Sequence, residues 1–170
     1  MEDLPLSTLI WLRIVRFVQN SNQLSNEHLR RFDLTVAQFE ALAHIRSFQP
    51  VSQSDLATGL TVSGGGVSRM LSRLEREGLI TRKQEWKTKF ISLTDAGREL
   101  LGRAYPSQLR QQAAMFDDVL DEDEKTQLHA LMKKLYEHSV ERSRNAEVRA
   151  ADARTAETPS QSEPTYIDRA

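Results

Sequence analysis

The order of predicted elements between residues 34 and 97 constrains the fold more than any other feature of the chain. Thr35 and Gln38 have the spacing of a capping box, in which two free N–H groups at a helix start are satisfied reciprocally. Ser52 and Asp55 repeat that spacing and predict the start of a second, short helix.

A third helix is predicted from Ser63 to Gly78, where the glycine provides the terminating turn. Its apolar residues recur at helical spacing, so one face packs on a core and the other faces solvent. The apolar face consists of Val67, Met70, Leu71 and Leu74, and the polar face of Ser68, Arg69, Ser72, Arg73 and Arg76.

After Gly78 the apolar period becomes that of a strand. Residues 79–82 and 89–93 are predicted strands, and the charged residues 83–88 between them are the loop of a hairpin. Two helices separated by a turn, with arginine and serine exposed on the second and a hairpin after it, are typical of a winged helix-turn-helix. The predicted fold class is mainly α with a small β-wing: a winged helix-turn-helix domain plus a helical dimerisation region.

Three consecutive glycines, Gly64, Gly65 and Gly66, stand at the start of the third helix. Each costs about 1 kcal/mol relative to alanine in a helix interior, so we expect a reason for them. One reason is a close approach of the backbone to DNA, and another is a phosphate bound on the free N–H groups. A nucleotide-binding loop is the rival interpretation, but no lysine follows the glycines and no parallel sheet is predicted.

Positive charge is concentrated in the same region. The whole chain carries a net charge of −1, which excludes a globally basic coat. Residues 63–89 hold seven basic residues against three acidic ones, a net charge of +4, which favours contact with DNA there. The alternative is a solvated helix face with i,i+4 pairs such as Arg73 with Glu77. The basic residues are Arg69, Arg73, Arg76, Arg82, Lys83, Lys87 and Lys89.

The first helix, predicted from Ser7 to Arg31 with Ser7 as its N-cap, is apolar on nearly all sides between Leu9 and Val18. Such a helix is covered from more than one direction, and a second subunit is the simplest additional cover in a chain of this size. The alternative is a central core helix in a monomer. Two further helices are predicted, one from Thr94 to about residue 116 and one from Asp121 to about residue 144.

Residues 145–170 hold few bulky apolar side chains and are expected to form a disordered tail. The alanine-rich residues 146–156 within it are also compatible with an extension of the preceding helix. The predicted division is an N-terminal dimerisation helix (1–33), a winged helix-turn-helix domain (34–94), C-terminal dimerisation helices (95–144) and this tail.

These motifs, in this order and at these separations, resemble the multiple antibiotic resistance regulator (MarR) family. The resemblance implies a homodimeric transcription factor, usually a repressor, whose first and last helices form the dimer interface. It also implies a pseudo-palindromic operator in double-stranded DNA, with each recognition helix in a major groove and each wing in the flanking minor groove. The motifs are Thr35–Gln38, Gln53-Ser54-Asp55-Leu56-Ala57, Ser63 through Leu74-Glu75, Gly78-Leu79, Arg82 and Leu93-Thr94-x-x-Gly97.

The resemblance further implies which residues contact DNA. Gln53 lies near the DNA backbone at the start of the second short helix, and Arg82 matches the arginine at the base of the wing. The recognition-helix contacts fall on Ser63, Gly65, Gly66, Ser68, Arg69 and Arg73.

The wing tip departs from the family pattern. Glu85-Trp86-Lys87 stands where most members carry an Asp-Arg-Arg run, so insertion of an arginine into a narrow groove is in doubt. Lys87 and Lys89 are expected to supply phosphate contacts instead. We expect Trp86 to pack against the domain, and contact with a sugar is the alternative.

Members of the family often bind small aromatic or phenolic effectors, and the resemblance places Trp11, Phe17 and His44 near such a ligand. Plain core or interface packing is the alternative for each. The chain has no cysteine, which excludes thiol sensing of peroxide and cysteine-ligated zinc. No cofactor and no metal site are expected, since the histidines lack clustered partners.

The predicted function is sequence-specific DNA binding in the cytoplasm. No export signal is predicted, because Glu2 and Asp3 stand where a signal peptide needs positive charge. No membrane span is predicted, because Arg13 and Arg16 interrupt an apolar stretch that is far shorter than about 20 residues. An enzyme is not expected, because no nucleophile elbow or paired-carboxylate spacing occurs. The alternative is a dimeric ligand-binding or protein-interaction module that has lost specific DNA binding. The altered wing supports this alternative, whereas Ser68, Arg69 and Arg73 oppose it.

Overall fold

The computed structural model describes residues 4–60 and 64–156 and divides the chain into two compact units, Met1–Val119 and Leu120–Ala170. The described residues are mainly helical with one small antiparallel sheet. In chain order the elements are α1 (Leu6–Leu29), a 3-10 turn (Arg30–Phe32), α2 (Val36–Phe48), β1 (Val51–Ser52), α3 (Gln53–Gly59), α4 (Gly64–Arg76), β2 (Ile80–Glu85), β3 (Thr88–Leu93), α5 (Asp95–Asp117) and α6 (Glu122–Ala156).

The capping predictions for α2 and α3 agree with the structure to different degrees. At α2 the full capping box forms: the Gln38 amide N–H donates to the Thr35 hydroxyl, and the Thr35 amide donates to the Gln38 side chain. At α3 the Ser52 hydroxyl accepts from the backbone N–H of Asp55. The Asp55 carboxylate accepts a hydrogen bond from that same hydroxyl, where a full box has it accept from the N-cap backbone.

The core of the first unit is formed where α2, α3 and α4 meet the sheet and α5. Because the apolar side chains on α4 recur at helical spacing, Val67, Leu71 and Leu74 are buried in this core and Met70 packs partly buried against it. The fully buried large side chains of the core include Leu42, Ile45, Leu56, Leu71, Leu74, Ile91 and Leu101.

The sheet is larger than the sequence predicts. Its strand order is β1-β3-β2, and β1 is a two-residue strand that the sequence did not indicate. The predicted loop 83–88 is wrong, because the β2–β3 ladder continues to the pair Glu85 and Thr88 and leaves only a two-residue turn. Backbone groups alone form such a ladder, so charged side chains on a projecting hairpin do not prevent it.

Two helix boundaries also differ from the prediction. Ser7 lies inside α1, whose N-cap is Pro5, because the backbone N–H groups of Thr8 and Leu9 bond to the Pro5 carbonyl. The final helix α6 begins with Asp121 and Glu124 capping each other and continues to Ala156. Residues 145–156 thus continue α6, which is the alternative that the sequence left open for residues 146–156, where alanine favours the helix. The expectation of disorder for residues 157–170 falls outside the described residues.

The end of α4 and the start of α5 meet at a compact junction. Gly78 has a φ of +70° and closes α4 with the paired hydrogen bonds of a Schellman turn. The Thr94 hydroxyl caps α5 by accepting from the Gly97 N–H, and it donates to the Gly78 carbonyl at 2.6 Å. The Thr94 N–H donates to the Leu79 carbonyl at 3.1 Å. This junction fixes the start of β2 and the end of β3, the two ends of the hairpin.

Substitution of Gly97 tests the closeness of this junction. An added Cβ would stand 2.0 Å from the Leu79 carbonyl oxygen, which is a backbone atom and cannot rotate away. Gly97→Ala is therefore expected to lower the free energy of unfolding by about 1–3 kcal/mol, measured by urea denaturation at fixed protein concentration.

The matched control is Gly102→Ala in the same helix. Among the residues that the structure describes, none outside its own helix backbone lies within 4 Å of the Cβ that this substitution adds. It is expected to raise the free energy of unfolding by about 0.5–1 kcal/mol, because alanine loses less backbone entropy than glycine in a helix. Equal effects of the two substitutions would contradict the close approach at Gly97.

Candidate nucleic-acid interface

The outward face of α4 carries the residues that the sequence assigned to DNA. Ser68, Arg69 and Arg73 are exposed on this face, on the side opposite the buried Val67 and Leu71. The other exposed polar residues of the helix are Ser72 and Arg76. The predicted amphipathic geometry of α4 is therefore present in the structure.

The glycine-rich start of α4 is partly described. Gly64, Gly65 and Gly66 form the first turn of the helix. Ser63, predicted as a DNA contact and helix start, lies outside the described residues. Gln53 is the first residue of α3 and is half-buried. Its proposed contact with the DNA backbone remains a prediction.

Arg73 forms the helix-surface pair that the sequence offered as the alternative to DNA contact, and its contact with DNA remains a prediction. Its Nε donates to Glu77 Oε1 at 2.7 Å, the i,i+4 pair of a solvated helix face. That hydrogen bond raises the pKa of Arg73 above its ordinary value, so the guanidinium keeps its charge. Because the side chain is still 53% exposed, its other nitrogen atoms remain accessible from outside.

Arg82 joins the hairpin to the recognition helix. Its Nε donates to Glu75 Oε2 at 2.8 Å, and its Nη2 forms an ion pair with the same oxygen and lies 3.3 Å from the Ser72 hydroxyl. The Arg82 side chain is only 18% exposed. We call this set of contacts the Arg82 clamp. The hydrogen bond from Arg82 holds the pKa of Glu75 below its ordinary value, which keeps the pair ionised.

The structure gives Arg82 a partner that the sequence analysis did not assign. The sequence analysis placed Arg82 in contact with DNA and gave Glu75 no partner. One signal was available: Ile80 and Arg82 are two residues apart in a strand, so they share the face that turns toward α4. A direct contact of Arg82 with DNA remains a prediction.

The tip of the hairpin is basic and carries one large aromatic side chain. Lys83, Lys87 and Lys89 are all exposed there. Trp86 is 98% exposed, so the expectation that it packs against the domain is wrong. The reason is its place in the two-residue turn, where it has a φ of +57° and lies beyond the last pair of the ladder.

The three residues expected near an effector lie in different surroundings. Trp11 is 65% exposed on α1. Phe17 packs edge-on against Phe116 of α5, with ring centroids 5.4 Å apart. His44 stacks at a tilt on Phe48, with centroids 4.6 Å apart. Their part in ligand binding remains a prediction.

A different cavity lies beside the recognition helix. It has a volume of about 390 Å³ and opens between the start of α2 and α4. The Nε2 atom of Gln38 is buried there without a hydrogen-bond partner in the described part of the chain. The lining residues are Thr35, Ala37, Gln38, Gly66, Arg69, Met70 and Arg73. The sequence did not indicate this cavity, because it depends on how α2 and α4 pack.

Within residues 4–60 and 64–156, no group of three or more histidine, aspartate or glutamate side chains is placed to hold a metal ion. Within the same ranges, no helix is long and apolar enough to cross a membrane.

The helix-turn-helix, the exposed basic face of α4 and the β-hairpin clamped to it define a winged helix-turn-helix protein. Comparison with known proteins then gives the family. A model of the MarR family matches residues 34–85. An HTH-type transcriptional regulator of Bacillus cereus is 56% identical over 139 residues, which are 82% of this chain and 95% of that protein.

Solved structures agree with the family match. The oxidised form of MarR from Escherichia coli aligns with a TM-score of 0.67 and 30% identity, over 79% of this chain and 96% of that one. A mutant of the same protein, solved in complex with operator DNA, aligns with a TM-score of 0.69 and 28% identity, over 79% and 99%. The chain belongs to the MarR family of transcriptional regulators.

The Arg82 clamp predicts a specific pH dependence of stability. Because the pKa of Glu75 is lowered in the folded protein, the stability that the pair contributes is present above the unfolded-state pKa of about 4.3 and is lost as the pH falls through the folded-state pKa. Wild type should therefore exceed Glu75→Gln in free energy of unfolding at pH 6, by at most about 1 kcal/mol for a pair this exposed.

That difference should shrink when urea denaturation is repeated toward pH 3. Glu85→Gln, the same change on the exposed wing, is the control for the general effect of removing a carboxylate. A wild-type advantage over Glu75→Gln that stays constant from pH 6 to pH 3 would contradict the clamp.

Proposed function

We propose that this chain is a cytoplasmic homodimeric repressor that recognises a pseudo-palindromic operator with α4 and the β2–β3 hairpin. One observation carries this proposal: the exposed arginine and serine face of α4 is joined by the Arg82 clamp to a hairpin with a basic tip. The operator complex of the related Escherichia coli protein adds support.

In this proposal α4 enters the major groove. The glycines of its first turn allow the backbone to come close to the DNA. Arg69 and Arg73 reach the groove, where a guanidinium can donate two parallel hydrogen bonds to guanine, and Ser68 accepts or donates. The lysines of the hairpin contact phosphates, which fix orientation without reading sequence.

A second copy of the chain would cover the apolar surface of its helices. In the first unit, α1 exposes Ile10, Trp11, Leu12, Phe17 and Val18. In the second unit, α6 exposes Leu128, Leu131, Met132, Leu135, Tyr136 and Val140. Exposed apolar surface of this extent favours association between subunits. A two-fold dimer would present its recognition helices to half-sites about one helical turn of DNA apart, or a multiple of it.

We include release by a small aromatic effector in the proposal. The cavity between α2 and α4 offers an apolar lining with the cations of Arg69 and Arg73 at one side. An aromatic carboxylate would pair with those guanidinium groups and compete with DNA for them. A ligand that binds only one arrangement of the recognition helices shifts the dimer away from the operator.

A fluorescence-anisotropy titration of the full chain tests the proposed function. DNA from upstream of the gene of this protein is compared with a random duplex of equal length at several salt concentrations. Tight binding to the first and weak, salt-steep binding to the second would support the proposal. Equal weak binding to both would overturn specific recognition of that DNA and favour the alternative of a dimeric module without specific DNA binding.

Arg73 provides a test of base reading. Arg73→Ala is expected to weaken specific binding by about 1–3 kcal/mol and to leave binding to random DNA nearly unchanged, because a base contact acts only on the correct sequence. Arg103→Ala, the same substitution on the exposed face of α5, is the control. Equal losses on both duplexes would reassign Arg73 to a phosphate contact.

Lys87 provides a test of wing contact. Lys87→Gln is expected to reduce the slope of log affinity against log salt by about one, because one fewer phosphate is neutralised, and to change sequence preference little. Lys125→Gln on α6 is the control for the same loss of charge. An unchanged slope would remove Lys87 from the interface.

A further inference from the structure

We propose that Trp86 is a DNA-reading residue that enters the minor groove beside the half-site and partly unstacks one base step. This inference rests on the proposed operator binding and adds to it a contact that depends on a large apolar side chain at the tip of the hairpin. It replaces the arginine insertion that the altered wing tip lacks.

The exposure of Trp86 is the first observation. At 98%, its side chain is the most exposed of the large apolar side chains in residues 4–60 and 64–156. Tryptophan otherwise dominates cores and interfaces because its ring is so large. No described residue of the first unit covers this ring, so its large apolar surface adds nothing to the packing of those residues.

The backbone at this position is the second observation. Trp86 has a φ of +57°, in the left-handed region where glycine, asparagine and aspartate are favoured and a bulky residue is an outlier. Its carbonyl accepts a hydrogen bond from the Gln84 side chain at 3.2 Å, which steadies the turn. Glycine or asparagine would close the hairpin with less strain. The indole therefore stands at a position whose left-handed backbone conformation disfavours a bulky side chain.

The charge around the ring identifies the chemistry of its partner. Residues 83–89 carry three lysines against one glutamate, a net charge of +2, and all of these residues are exposed. A partner protein with an apolar pocket would gain nothing from the ammonium groups around the ring. A nucleic acid fits both features, because its phosphates attract the lysines and its bases stack on the ring.

The position of the tip indicates the groove. The Arg82 clamp lies against α4, and Trp86 is four residues further along the hairpin, or about 13 Å at strand spacing. With α4 in a major groove about 12 Å wide, the tip extends across the phosphate ridge to the neighbouring minor groove. There the indole N–H meets only acceptors at A·T pairs, and an apolar wedge can open a flexible pyrimidine–purine step.

A fluorescence experiment tests this directly. Trp11→Phe leaves Trp86 as the single tryptophan of the chain. In that variant, addition of the specific duplex from the anisotropy experiment should quench Trp86 emission at least two-fold and reduce its acrylamide quenching constant several-fold. A random duplex at equal concentration should do neither at high salt.

The unstacking of the base step is measured from the emission of a fluorescent base in the DNA. With 2-aminopurine replacing single adenines outside the half-site, emission should rise several-fold at one step for wild type and for Trp86→Leu, which keeps an apolar wedge. The emission should not rise for Trp86→Gly, in which glycine fits the left-handed turn but provides no wedge. The affinity of Trp86→Gly for the specific duplex should be about ten-fold lower than that of wild type. Because Trp86 contacts so little of the fold, Trp86→Gly should keep the helical circular dichroism of wild type.

The outcomes separate this inference from the proposed function. If wild type binds both duplexes equally weakly, the proposed function fails. If wild type binds the specific duplex tightly while Trp86 stays accessible and Trp86→Gly binds as well as wild type, only this inference fails. Protection of Trp86 by anionic phospholipid vesicles but not by the specific duplex would also overturn it.

Discussion

The functional surface depends on the junction at which α4 ends and α5 begins. Gly78 turns the chain in the left-handed region, Thr94 binds back to the Gly78 and Leu79 carbonyls, and Gly97 allows α5 to come within contact of Leu79. Both ends of the hairpin are therefore anchored at the end of the recognition helix. Without this junction the wing would have no fixed direction relative to α4.

The Arg82 clamp completes the connection at the next level of the hairpin. As a partly exposed ion pair, it is expected to add little to the free energy of unfolding. Its importance is geometric, because Glu75 and Ser72 are on the recognition helix and Arg82 is on the strand that leads to the tip. α4 and the hairpin are thus held in one arrangement, and in the proposed function both meet the DNA in that arrangement.

The sequence predicted those features that depend on local spacing. The capping box at Thr35 and Gln38 and the buried face of α4 are confirmed because both arise within one turn or one helix. The strand β1 was missed because two residues are too short to show a period. The partner of Arg82 lies seven residues away in a different element, and pairing of this kind depends on tertiary packing.

Other differences have the same origin. The exposure of Trp86 follows from the length of the β2–β3 ladder, which the sequence underestimated because charged residues do not alternate visibly with apolar ones. The cavity beside α4 and the continuation of α6 to Ala156 also depend on packing or on helix propensity beyond the last apolar residue. Fold class and family were accessible from the sequence, whereas the connection between helix and wing required the structure.

Hydroxyl-radical footprinting of the operator tests most directly whether helix and wing act as one unit. Wild type is expected to protect the sugars of each half-site and, separately, those of the flanking minor groove. In Arg82→Ala the half-site protection should remain while the flanking protection is lost or spread over several nucleotides. A flanking footprint that is identical in wild type and Arg82→Ala would contradict the account, because the wing would then hold its position without the clamp.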